Sequence, residues 1–488
     1  MPQSNQLASK AANVVAGAAV GAFTALALSS QPRWLLESGH PRAIFTETDP
    51  ISQIPSEADV VVIGGGIAGI STALFLNEYG LRTVVFEKGF VGGESSSRNF
   101  GWVYSNGFHE DKLPLAVDAK NIWTGLANRF GFDVSVRQGG NLQLASNEEE
   151  LEAQRAWQRE ASQRFPKDID AKILRASELD ELIPRASAKY IGALHQPSDG
   201  SAEPTHAVPL IAKGARAEGV KVFAPVAVRA VETEGGAVHS VVTEHGEVRT
   251  KRVVVAGGAW SRLFLGNLGI NLPQQNITSN VIRVKGGTAH QGAGHGGGVA
   301  WREQIDGSYS IGVTPHPIPV TWDSFRVLPD FMPALRQLLK NPLNSPLTIR
   351  VGSDLLQSMR TNRRWRNDEI TEFERVRMLT AKPLMRAGDR AVAATREFFP
   401  ALADARIIER WAGVIDATPD YTSVISEVPA MPGLFINTGH GAQGFALGPG
   451  AGRLAAQLVA EQAPLVDPEP FRLSRFSDGQ PLLLREFL

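Results

Sequence analysis

Between residues 59 and 87 the chain carries a residue pattern suited to holding a dinucleotide. The β-branched run Asp59-Val60-Val61-Val62-Ile63 flows into Gly64-Gly65-Gly66-Ile67-Ala68-Gly69, and a second run, Thr83-Val84-Val85-Phe86, ends at Glu87, 18 residues beyond Gly69. Each part has a mechanical reason. Gly64 permits a tight turn, Gly66 lets backbone approach a pyrophosphate, and Gly69 allows a helix to lie close against a strand. Ile67 and Ala68 open that helix, whose N-terminal N–H groups favour phosphate. Glu87, with Lys88 beside it, ends the second strand where a carboxylate can accept ribose hydroxyls. The alternative is a glycine turn in a core without a ligand. The strand, helix and acid around the glycines favour the dinucleotide.

Two further segments bear on which dinucleotide is held. Gly92-Gly93-Glu94-Ser95-Ser96-Ser97-Arg98-Asn99-Phe100-Gly101 follows the second strand. Its small hydroxyl residues suit close approach to a phosphate and a flat ring, and Arg98 is a candidate hydrogen-bond donor to the cofactor; the alternative is a polar surface loop. Farther on, a hairpin pattern over 226–247 precedes Val253-Val254-Val255-Ala256-Gly257-Gly258-Ala259-Trp260. This resembles the later half of the FAD-binding domain of two-domain flavoproteins, with backbone near Val228 meeting adenine and Ala256, Gly257, Gly258 and Trp260 lining the site. A third glycine turn, Gly439-His440-Gly441-Ala442-Gln443-Gly444, joins another apolar strand to a helix. That helix N-terminus can stabilise negative charge on a reduced flavin ring. An NAD enzyme has no need of it, so the residues favour FAD.

The elements that position these residues belong to a long, evenly charged chain. It has 488 residues, 43% hydrophobic and 20% charged, with 49 basic and 50 acidic residues and no Cys. The apolar content supports packed cores. The balanced charge gives no general field for nucleic acid, and no basic stripe with interleaved aromatics is present. The absence of Cys excludes disulfides, zinc-thiolate sites, a cysteine nucleophile and a flavin tethered through cysteine. No His/Asp/Glu cluster has metal-ligand spacing, so no metal is expected. Residues 11–30 are uncharged and rich in Ala and Gly. Their length suits a single membrane-spanning helix, with a cleaved signal peptide and a mobile tail as alternatives. Residues 31–55 read as a linker with four prolines.

The motif order GGGIAG, FEK, GESSSRNFG, PSDGSAEP, VVVAGGAWSRLF, ERWAGVIDATPD and INTGHGAQGFALGPGAG resembles the D-amino-acid-oxidase superfamily of FAD enzymes over residues 57–476. Within it the chain is similar to the membrane-bound bacterial L-amino acid deaminases, which share an N-terminal hydrophobic segment and an inserted helical segment. The resemblance implies an α/β FAD-binding domain (Rossmann-like, glutathione-reductase type) built from 56–106, 195–275 and 405–470. It also implies an α+β substrate domain from 107–194 and 276–404, with a mainly antiparallel sheet and a helical insertion at 323–400. Residues 471–488 are left as a tail. The implied chemistry is hydride transfer from the amine-bearing carbon to flavin N5, giving a 2-oxo acid and ammonia. FAD is held non-covalently, and electrons pass to a quinone or other respiratory-chain acceptor. Localisation at a bacterial inner membrane follows, with lipid as a partner through the N-terminal segment and apolar stretches of the insertion; an ordinary helical lid is the alternative for the latter.

The substrate side departs from the family pattern. The hairpin Trp301-Arg302-Glu303-Gln304-Ile305-Asp306-Gly307-Ser308-Tyr309 is present, yet the resemblance places Thr314 where the deaminases hold the substrate carboxylate with Arg. Arg302 or His316 is then the candidate replacement, with Tyr309 of the same hairpin beside them. Alternatively, the substrate is an amine, an N-substituted amino acid or a bulky cyclic one. Trp102 stands where the deaminases carry an amide, and Tyr104 follows. The two aromatics either narrow the pocket or serve as core. His440 and Gln443 at the third glycine turn complete the candidate catalytic set. His109 reads as surface loop, and Asp416 either orients the ring environment or caps a turn. Two other readings stay open, an FAD amine or N-alkyl amino acid oxidase using oxygen and a flavin-binding subunit without its own chemistry.

Overall fold

In a computed structural model, residues 43–183, 188–286, 292–313, 316–340, 347–399, 402–480 and 482 are described. The hydrophobic segment 11–30 and Thr314 lie outside them. No helix among the described residues is long and apolar enough to cross a membrane.

The β-branched runs pair with one another. Val60–Ile63 lies parallel to Thr83–Phe86 on one side and Val253–Val255 on the other, and Leu434–Thr438 and Lys221–Phe223 extend the sheet in parallel. Val424–Glu427 adds an antiparallel edge, completing six strands. These strands are buried on both faces, which is why they read as continuous apolar runs and not as alternation. The helix Ile67–Glu78 packs against Gly444–Val459, and glycines set how closely. A Cβ on Gly448 would lie 2.5 Å from Ile67 and one on Gly452 2.5 Å from Ser71, so small residues there bring the two helices into contact. An antiparallel sheet over Val228–Glu234, Ala237–Thr243 and Gly246–Arg249 flanks this layer.

The second layer is an eight-stranded sheet, antiparallel except for one parallel pairing of Ala293–Gly296 with Asn141–Ala145. The two sheets and their helices make the α/β unit and the α+β partner that the motif order implies. Arg406–Ala417, placed by sequence in the nucleotide-binding segment 405–470, instead runs along Gln275–Lys285 at one edge of the large sheet. Gly192–Gln196 likewise sits in this sheet, across the boundary expected at 195. Both strands are fixed by pairing with distant partners that local composition does not reveal. The insertion contains the helices Trp322–Lys340, Ser353–Arg360 and Met385–Phe398. Part of the tail packs on the body: Phe471 is buried, and the Arg475 guanidinium donates to both oxygens of buried Asp420 at 2.8 and 3.1 Å.

Candidate functional site

The three glycine turns converge on one cleft. It is lined by Gly64, Gly66, Ile67 and Ala68 from the first turn, Ala256 to Trp260 from the second, and His440, Gly441 and Gly444 from the third. Glu87, Lys88, Gly93, Glu94, Ser95, Ser96 and Val228 complete it among the residues singled out by sequence. Gly69, Gly439, Ala442, Gln443, Ser97 and Arg98 do not line the cleft. Gly69 works behind it: a Cβ there would sit 1.9 Å from the Gly64 carbonyl oxygen. Gly64 itself has φ +115°, and a Cβ on it would meet the Ala256 oxygen at 2.4 Å. Only glycine allows this turn and helix to approach each other so closely.

Glu87 is held by two N–H groups, from Gly65 at 2.8 Å and Gly89 at 2.7 Å. Burial raises its pKa, so ribose hydroxyls that hydrogen-bond it would compensate for lost hydration. Ser96 Oγ accepts from the Ile67 N–H at 3.0 Å, at the helix N-terminus where a phosphate is expected. Lys88 and Glu94 pair at 2.7 Å, and the Trp260 indole N–H donates to Glu94 at 3.0 Å. Arg98 lies elsewhere than the sequence suggests. Its guanidinium donates to the Gly93 and Glu94 carbonyls and borders a neighbouring cavity with Arg410 and Trp411. The short helix Ser95–Arg98 turns its fourth side chain away from the cleft that Ser95 and Ser96 line.

The third turn is shaped by Asp416. Its carboxylate accepts the Gly439 N–H at 2.8 Å and the Thr438 hydroxyl at 3.2 Å, and burial pushes its pKa up to about 6. His440 faces Ser423 Oγ through Nδ1 at 2.8 Å, while its buried Nε2 has no protein partner. Burial lowers the imidazole pKa to about 4, so the ring is neutral at pH 7. The buried Oδ1 of Asn437, another cleft residue, is also without a partner. A cleft with three close-approach glycine turns, a ribose-reading acid and two orphaned polar atoms fits a flavin dinucleotide.

Trp102 and Tyr104 stand edge to face, with centroids 5.4 Å apart, and Trp102 also meets Phe100 at 5.0 Å and His295 at 6.0 Å. Trp102 donates its indole N–H to the Trp301 carbonyl at 3.2 Å, which ties this wall to the large sheet. The side chains of Tyr104 and Gln443 are hydrogen-bonded, and Gln443 Oε1 accepts from Lys112 Nζ at 3.0 Å. Arg302 is buried, with Nη2 3.4 Å from Glu203 Oε2, and it borders Gly101, the residue before Trp102. Tyr309 does not join this group. Register pairs it with Val284, and it packs with Trp301, Ile311 and Ile282 in a core shared with Phe399 and Val392. Successive strand residues alternate in face, so Arg302 and Ser310 stand on the opposite side of the sheet from Tyr309. His316 opens the short strand His316–Pro319, is pushed to a lower pKa by burial, and does not line the cofactor cleft.

Sequence reasoning missed Phe373, Phe264, Asn437 and Lys112. Phe373 lines the cleft from a segment without a motif, and Phe264 from the end of VVVAGGAWSRLF, where the glycines and Trp260 carry the signal. Lys112 precedes the helix Leu113–Phe130 among other charged residues, with no local signal of its burial, and it is 2% exposed. Asp416, read from sequence as orienting the ring environment or capping a turn, holds the third glycine turn in place. Among the described residues no group of His, Asp and Glu is placed to hold a metal.

Comparisons with known proteins agree with this geometry. Residues 59–458 match the family model described as DAO, FAD dependent oxidoreductase. The structure of L-amino acid deaminase from Proteus myxofaciens in complex with anthranilate superposes with a TM-score of 0.86 at 36% identity, covering 90% of this chain and 98% of that one. The deaminase from Proteus vulgaris gives 0.83 at 33% identity over 88% and 100% of the two chains. A Proteus vulgaris structure with the specific insertion sequence deleted gives 0.70 at 30% identity over 90% and 98%. Among curated proteins, sarcosine oxidase subunit beta of Rhodobacter capsulatus is 25% identical, covering 86% of this chain and 89% of its own length. The chain therefore belongs to the DAO family of FAD-dependent oxidoreductases, enzymes that act on CH–NH2 or CH–NH groups.

Proposed function

We propose that the protein oxidatively deaminates an amino acid to a 2-oxo acid and ammonia and delivers the electrons to a respiratory-chain quinone. The observation that carries this reading is the inserted helical module, present in a chain that is over a third identical to an L-amino acid deaminase along nearly its whole length. Bound FAD supplies the two-electron acceptor for hydride from the carbon bearing nitrogen.

The chain's own residues position and shield. A neutral amine needs no strong base, so orientation and a water-poor wall carry most of the burden. Phe100, Trp102 and Tyr104 do not line the cofactor cleft itself, but they stack edge to face and join its third turn through Tyr104 and Gln443, and we assign that wall to them. His440 offers a neutral ring nitrogen, and the helix Gly444–Val459 begins at the cleft with its positive end. Gln443, fixed by Lys112 and Tyr104, holds the turn between them.

Delivery to a quinone is supported by the insertion's outer face. Trp322, Phe325, Leu328, Leu356 and Met359 are exposed there, between 44% and 62%, with Arg326 and Arg360 beside them. Apolar side chains ringed by arginine suit the boundary of an anionic bilayer. Residues 11–30 then serve as an anchor in a bacterial inner membrane.

A second reading is favoured by the Arg302–Glu203 pair. An arginine already facing its own carboxylate is a poorer fork for a substrate acid group, as expected for an amine that carries none. The test reduces the holoenzyme with amino acids and with secondary amines, then supplies air or a soluble quinone. Rapid reoxidation by quinone with little peroxide supports the first reading. Stoichiometric peroxide in air, with no response to quinone, contradicts it.

A further inference from the structure

We propose that residues 371–379 of the insertion form a strap that belongs to the cofactor site and controls release of FAD. Phe373 reaches into the cleft wall, 5.8 Å from Trp260 and 5.8 Å from Phe264, centroid to centroid. Behind it the backbone is tied to the residues that follow the ribose-reading acid. Lys88 Nζ donates to the carbonyls of Val376 at 2.9 Å and Arg377 at 3.1 Å. Glu94 accepts the Leu379 N–H at 2.7 Å. A Cβ on Gly89 would lie 2.0 Å from the Arg377 oxygen, so the strap crosses directly over the residue two beyond Glu87.

This reassigns two side chains. Lys88 and Glu94 line the cleft, yet their hydrogen bonds run to the strap, to Trp260 and to each other. They act as positioning residues, and the strap is what they position. Its far side is clamped by two bidentate pairs, a strong and geometrically selective arrangement. Arg229 holds Glu374 at 2.8 and 3.0 Å, and Arg377 holds Glu244 at 2.5 Å through both nitrogens. Arg229 and Glu244 belong to the small antiparallel sheet and the turn after its second strand, next to Val228. The strap is therefore closed by contacts on both sides of the cleft end that Glu87 lines. Adenosine at that end leaves only after these contacts break.

The test uses the full chain loaded with FAD, diluted into flavin-free buffer, with release followed as the rise of free flavin fluorescence. Arg229→Glu opposes Glu374 and is expected to speed release by about tenfold or more. Adding Glu374→Arg restores the pair with its charges exchanged and is expected to bring release back to within about threefold of the parent. Phe373→Ala, which leaves both charge pairs intact, is expected to accelerate release as well. Parental release rates from R229E and F373A, each with a native circular dichroism spectrum, overturn the proposal. So does an exchanged pair that releases as fast as R229E alone. None of these readouts depends on which substrate the enzyme oxidises.

Discussion

Gly69→Ala puts the cofactor cleft under the most specific strain. The added methyl would stand 1.9 Å from the Gly64 carbonyl oxygen and 3.4 Å from the Ala256 Cβ. Ordinary contact begins near 3.4 Å, so the helix Ile67–Glu78 has to retreat from the turn by about 1.5 Å. Overpacking of this kind costs about 1–3 kcal/mol in stability. The larger effect falls on FAD, because the displaced helix end no longer aims its N–H groups at the phosphates. A loss of about 2.7 kcal/mol corresponds to about 100-fold weaker binding. Titration of the apoprotein with FAD, read by flavin fluorescence quenching, measures it. Gly125→Ala is the control: it lies in the helix Leu113–Phe130 with nothing within 4 Å of the new Cβ. It should leave FAD affinity unchanged and can stabilise the helix by up to about 1 kcal/mol. A Gly69→Ala protein that binds FAD within threefold of the parent would refute the close-approach reasoning.

Three further outcomes are expected. Arg475→Ala strands the buried Asp420 carboxylate and should cost about 3–5 kcal/mol in urea unfolding, whereas a loss below about 1 kcal/mol would mean the tail contributes little. Asp199, which accepts from the Ser105 and Asn106 N–H groups and lies 3.5 Å from Lys120, is pushed up to about pKa 6 by burial. The folded state then holds more protons than the unfolded chain between about pH 4 and 6, so this group removes about 3 kcal/mol of stability as pH rises through that window. Asp199→Asn should flatten that limb, and parallel pH profiles for parent and variant would contradict the assignment. Deleting residues 1–30 should move the protein from the membrane pellet to the supernatant, and a truncated protein that still sediments with membranes would refute the anchor.

Much of the nucleotide half was legible because its constraints are local. A β-branched strand, a glycine turn and a helix are contiguous in the chain, and Glu87 follows at a spacing set by one helix and one strand. The rest depended on pairing choices made far away. Tyr309 and Arg302 sit on one hairpin, but the register with Gln275–Lys285 decides which of them faces the core behind the sheet. Arg98 looked like a cofactor ligand in a serine-rich loop, and a single helical turn directs it to the Gly93 and Glu94 carbonyls. Phe373 enters the cleft from an insertion nearly 290 residues beyond Glu87, with no motif around it. The edge strand Arg406–Ala417 reads as an introduction to the third glycine turn, yet it pairs along its length with the large sheet and delivers Asp416 to the turn from there.

The most direct measurement is anaerobic mixing of the FAD-loaded protein with L-amino acids, D-amino acids and amines, followed by flavin absorbance and by assays for ammonia and 2-oxo acid. The account predicts bleaching by at least one amino acid, with one ammonia and one 2-oxo acid formed for each flavin reduced. A flavin that stays oxidised with every compound would contradict it and leave a cofactor-binding subunit without chemistry of its own.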